Sequence, residues 1–136
     1  MDKSIDLNAL LDNCGGRLIS MSHYLGGEGR PLPPVDSSRL SLLRGFLSDI
    51  IGEVAMSLEA WIGMSIPDDE STELAVTFPE SISERRASDI TSAITAILEL
   101  RLAALLSRES FAGTEQLLEE MASDRLAGIV EGMLGV

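Results

Sequence analysis

Residues 66–82 read IPDDESTELAVTFPESI, and the fold turns on how the middle of this stretch is satisfied. From Glu73 to Phe78 apolar residues alternate, with Leu74, Val76 and Phe78 on one face and Ala75 and Thr77 on the other. That period of two predicts a short strand bounded by Pro67 and Pro79. Its backbone N–H and C=O groups need a partner. The nearest one in sequence is Met64–Ile66, which could form a hairpin with Leu74–Phe78. Failing that, the strand offers an edge to another chain. Leu74, Val76 and Phe78 are therefore candidate subunit-interface residues.

Long helical patterns lie on both sides. Upstream, Leu7, Leu11, Cys14, Leu18, Met21 and Leu25 step by four and three residues, which predicts a first helix from about Ile5 to Leu25. Residues 26–35, GGEGRPLPPV, hold three glycines and three prolines and break the pattern as a linker or extended arm. Asp36 is placed to cap a second helix running to about Gly63. Leu40, Leu43, Phe46, Leu47, Ile50, Ile51, Val54, Leu58, Trp61 and Ile62 give it a broad apolar face, so it is expected to be the central helix. After Pro79, Ser81-Ile-Ser-Glu84 reads as a capping box for a third helix reaching about Arg108. Its stretch Ala93–Leu106 contains only two charges, Glu99 and Arg101, and should be largely buried. Thr114 opens a fourth helix that runs through about Leu134. The expected fold is mainly α: a single four-helix bundle-like domain over 1–136, with one short strand or hairpin between helices two and three.

Composition narrows the function. The chain has 136 residues, 45% hydrophobic and only 4% aromatic, which suits a core of Leu, Ile, Ala and Met between helices. Acids number 22 against 10 bases, for a formal charge of −12. Such a surface repels phosphate, which argues against nucleic acid and anionic membrane as direct ligands. The N-terminus lacks the basic and apolar regions of a signal peptide, and no apolar run reaches the ~18 residues of a spanning helix. A cytoplasmic location is the expectation.

Chemistry finds little to work with. His23 and Cys14 are each the sole residue of their kind, which excludes the usual Cys/His zinc sets and any disulfide within the chain. If both lie on the first helix, nine residues separate them by about 13 Å of rise, too far for a nucleophile and its base. Asp68-Asp69-Glu70 lacks the spacing and glycine of a calcium loop. No phosphate-binding glycine motif and no nucleophile elbow is present. Accordingly no catalytic residue, metal site or cofactor is expected, and the chain is expected not to be an enzyme. Arg85 and Arg86 are the remaining anomaly. They fall in the first turn of the third helix, where the helix dipole disfavours cations. They are candidates either for a local ion pair or for an acidic partner, such as the Pro67–Glu70 turn of this or another subunit.

The order of these parts resembles a known family. The helix VDSSRLSLLRGFLSDIIGEVAMSLEAWI, the acidic turn, the ELAVTF strand, FPESI and the two following helices resemble the small head–tail connector, neck or tail-adaptor proteins of tailed phages and prophages. The resemblance spans roughly residues 35–136. It implies a non-enzymatic assembly protein, a homo-oligomer forming a ring beneath the portal, with portal or tail proteins as partners and a place in the virion. The apolar ending GIVEGMLGV departs from the charged tail common in that family. The alternative is an acidic, dimeric chaperone-like module that holds an extended secreted or virion protein.

Overall fold

In the computed structural model, the segment Glu73–Thr77 is a strand with neighbours on both sides. The structure describes residues 1–11, 13, 37–65, 72–110 and 114–134. Along the chain these form β1 (Asp2–Asp6), α1 (described at 7–11 and 13), α2 (Ser37–Leu58), β2 (Gly63–Met64), β3 (Glu73–Thr77), α3 (Glu84–Ser110) and α4 (Thr114–Leu134). The protein is mostly helical, with a small antiparallel sheet in the order β1-β3-β2. The mainly α, bundle-like expectation holds, but the sheet has three strands and one of them precedes the first helix.

The partner that the sequence reading missed is β1. It pairs with β3 from Asp2↔Thr77 to Asp6↔Glu73. The ladder extends past both ends, because Phe78 N–H donates to the Met1 carbonyl at 2.9 Å and Leu7 N–H donates to the Thr72 carbonyl at 3.0 Å. On the other side, Gly63 and Met64 pair with Thr77 and Val76. Ser65 continues that edge: its N–H donates to the Ala75 carbonyl, and its Oγ accepts the Ala75 N–H. The expected hairpin therefore exists, and it begins one residue earlier than predicted. Ile66 lies outside the described residues.

Register sorts the side chains. Lys3, Ile5, Met64, Leu74 and Val76 share one face, because directly paired residues point the same way. Ile5, Leu74 and Val76 are buried and Met64 is partly so. Lys3 runs along this face and sends its amine to Glu84 at 3.5 Å. Asp2, Ser4, Asp6, Gly63, Ser65, Glu73, Ala75 and Thr77 make the opposite face, and all are exposed. Burying one Ile, Leu or Val side chain is worth about 1.5–3 kcal/mol, so this register is strongly preferred over a one-residue slip.

The first helix thus starts later than Ile5. Asp6 ends β1 and caps α1, its Oδ1 accepting from the N–H groups of Asn8 at 3.0 Å and Ala9 at 3.1 Å. This is the geometry of an N-cap, which satisfies donors the helix cannot. Leu7 and Leu10 then turn into the core. The predicted continuation to Leu25, with Cys14, His23 and Tyr24, lies outside the described residues, as do the 26–35 arm, the Asp36 cap, the Asp68–Glu70 turn and Gly113.

The other helices differ from expectation in detail. α2 stops at Leu58, and the Leu58 carbonyl accepts from the N–H groups of both Trp61 and Ile62. Gly63 is then a strand residue rather than a helix stop. At the start of α3 the cap is Ser83 and not Ser81: Ser83 Oγ accepts from Arg86 N–H at 3.2 Å, and the Ser83 carbonyl accepts from Ala87 N–H at 2.9 Å. Ser81 instead sits in the turn closed by Ile82 N–H on the Pro79 carbonyl. The central helix is α3 rather than α2. It packs on α4, α2 and β1, and Ile94, Ile97, Leu98, Leu100 and Leu102 are all buried along it.

If β1 is a core strand, Ile5→Ala should remove about 2–5 kcal/mol of stability. Ser4→Ala, on the exposed face, should change it by less than about 0.5 kcal/mol. Urea unfolding of the two variants checks this, and equal small effects would contradict the register.

Candidate functional site

Of the five candidate interface residues, three belong to the interior. Leu74 and Val76 are 0% exposed and Phe78 is 2% exposed. They pack with Ile5, Val54, Leu58 and the α3 side chains in one core cluster. Their surface is already covered within the chain, so any contact with a second subunit runs through other groups. Both edges of β3 are paired, and the sheet's open edges belong to β1 and β2.

Arg85 and Arg86 separate. Arg85 is exposed, with no ion pair among the described residues. Arg86 is half-buried and donates to the Gly132 carbonyl at 2.8 Å. That bond resolves its apparent misplacement. α3 and α4 pack so that the first turn of α3 meets the last turn of α4, where unpaired carbonyls concentrate negative partial charge. Arg86 sits at the wrong end of its own helix and at the right end of its neighbour.

Next to this bond, α3 and α4 leave an open groove of about 380 Å³. Ile90, Ala93 and Ile129 give it an apolar floor, with Arg86, Asp89 and Arg125 at its sides. Gly128 and Gly132 expose the α4 backbone to it. A methyl group at Gly128 would meet nothing within 4 Å.

Side-chain polar links also join other elements. Arg101 of α3 pairs with Glu53 of α2, and Arg44 of α2 donates to Asn8 Oδ1 at 3.0 Å. Among the described residues the large apolar side chains left exposed are Met1, Phe46, Met56 and Leu134, with Met56 at 73% the most open. Among the described residues no group of His, Cys, Asp and Glu is arranged to hold a metal ion. No helix among them is long and apolar enough to cross a membrane. Sequence reasoning named Arg86 but could not find Gly132, since the signal lies in how two helices pack. The acidic sheet face was also missed, because half of it comes from β1.

No family model, curated protein sequence or solved structure matches this chain.

Two substitutions test the α3–α4 junction. Arg86→Ala should cost about 1 kcal/mol, the scale of a partly exposed charge-assisted bond, and Arg86→Lys should recover part of it through charge alone. Gly128→Ala should raise stability by up to about 1 kcal/mol, because Ala is the better helix former and the space is open. Thermal unfolding reads both.

Proposed function

We infer that this protein is a non-enzymatic assembly protein of the head–tail connector kind, acting as one of several copies in a ring. The observation that carries the reading is the architecture: a helical core that carries a small sheet packed on it by one face, the arrangement that the resemblance implies. A chain of 136 residues with formal charge −12 fits a role built on protein contacts, because its charge opposes phosphate backbones. Portal or tail proteins are the partners this reading implies, and the virion, or the cytoplasm before assembly, is its place.

On this reading the ring contacts are heterologous, with one patch meeting a different patch on the next copy. Leu74, Val76 and Phe78 are interior, which leaves the contacts to groups on the outside of the chain. The α3–α4 groove and the exposed Phe46 and Met56 of α2 are the described features available for them.

The chaperone-like alternative gains support from one finding. Such a module needs several strands to present an extended client with an edge, and the sheet has three strands where the sequence showed one.

Native mass spectrometry separates the two. The connector reading expects a ring many times the 14.6 kDa chain mass, alone or on addition of a portal. A dimer that stays a dimer contradicts the ring and favours the chaperone.

A further inference from the structure

We propose that the outer edge of β1 is a docking site for an extended, basic segment of a partner protein, which joins the sheet as a fourth strand. The inference concerns a different surface from the ring contacts and does not depend on self-assembly.

The hydrogen-bond phase of the ladder supplies the first argument. In an antiparallel pair, opposite residues alternate between exchanging both backbone bonds and exchanging none. Met1 and Phe78 exchange both, at 2.9 and 3.3 Å. Two and four positions on, Lys3↔Val76 and Ile5↔Leu74 are therefore the bonded pairs in this register. Asp2 and Ser4 then point their N–H and C=O groups away from β3. No backbone hydrogen bond to those outward groups occurs among the described residues, and both residues are exposed. On β3 the equivalent outward groups of Ala75 are taken by Ser65. The edge of β1 is thus a short template with its donors and acceptors in strand spacing.

Charge decides the occupant. The exposed face of the sheet carries Asp2, Asp6 and Glu73 and no base, since Lys3 belongs to the buried face. Asp6 lies directly opposite Glu73, so the face already bears a like-charge pair that a cation nearby would relieve. A second copy of this chain is a poor occupant. Antiparallel β1–β1 pairing centred on Ser4 would set Asp2 against Asp6 of the other copy, twice. A partner strand with Lys or Arg at alternate positions instead places cations beside Asp2 and Asp6 while its backbone bonds Asp2 and Ser4. Attraction to the −12 chain would speed the encounter and make it salt-sensitive.

Proline at position 4 isolates the edge. The Ser4 N–H faces away from β3, so Ser4→Pro leaves the β1–β3 bonds in place, as proline does on edge strands. It still removes the donor that the added strand needs. The full-length protein is titrated with a synthetic peptide alternating lysine and valine, and with its glutamate–valine counterpart. Amide hydrogen exchange is followed at Asp2 and Ser4. The lysine peptide should protect both amides and the glutamate peptide should not. Ser4→Pro should weaken lysine-peptide binding by about tenfold or more, the effect of one lost bond and one stranded carbonyl. Asp2→Lys should weaken it as well, with melting temperature unchanged, and raised salt should do the same to the unmodified chain. Absence of protection at Asp2 and Ser4, equal binding of both peptides, or unchanged affinity in a folded Ser4→Pro variant would each overturn the proposal. None of those results bears on ring formation, which native mass reports separately.

Discussion

The pairing of Asp2–Asp6 with Glu73–Thr77 is the constraint on which the remaining structure rests. It joins Met1 to Phe78 across 77 positions of chain, and everything between those residues must fold back to allow it. Once β1 is in place, β3 becomes an inner strand, and Leu74, Val76 and Phe78 become core. The same pairing sets where α1 begins, because Asp6 is both the last residue of the strand and the cap of the helix. Contacts so distant in sequence carry a loop-closure cost before any burial rewards them. The sheet is therefore expected to form together with the packing of α3 against it, and not as an independent hairpin.

α3 is the second organiser. It touches the sheet, α2 and α4, and its run of buried Ile, Leu and Ala leaves little surface for water. Charge ties it to its neighbours. Lys3 reaches Glu84 at its start, Arg86 holds the last turn of α4, and Arg101 reaches across to Glu53 of α2. Exposed ion pairs contribute little stability each. Arg86 differs, because its acceptor is a helix-terminal carbonyl that has no partner within its own helix. With Arg44 on Asn8, four cations among the described residues join elements, and the open sheet face carries carboxylates alone as its charged side chains.

Much of this was legible in the chain, and what was not has physical reasons. The alternation of Leu74, Val76 and Phe78 marked β3, Pro79 marked its end, and α4 runs as its periodicity predicts. β1 was hidden because Asp-Lys-Ser-Ile-Asp has one apolar residue, and the four-and-three stripe from Leu7 drew Ile5 into a helix. Lys3 fills a buried-face position only by running its stem along the core and its amine outward, which no hydropathy pattern records. Ser81 and Ser83 offer the same capping chemistry two residues apart, and the turn after Pro79 selects the second. Arg86 looked misplaced because the dipole it answers belongs to another helix. Apart from the Ser83 cap, a contact distant in sequence overrode the local signal.

Function follows the same division between interior and edge. The apolar residues that read as an interface from sequence, Leu74, Val76 and Phe78, are interior, and the outer features that remain include an acidic strand edge and a helix groove. Pairing of β3 within one chain underlies every other contact, and nuclear Overhauser contacts between α-protons test it most directly. The non-bonded pairs Asp2/Thr77 and Ser4/Ala75 bring their backbones closest, so each should give a strong cross-strand contact. Both should persist when isotope-labelled chain is diluted into excess unlabelled chain. Loss of the contacts on dilution, or helical contacts among residues 2–6 in their place, would contradict it.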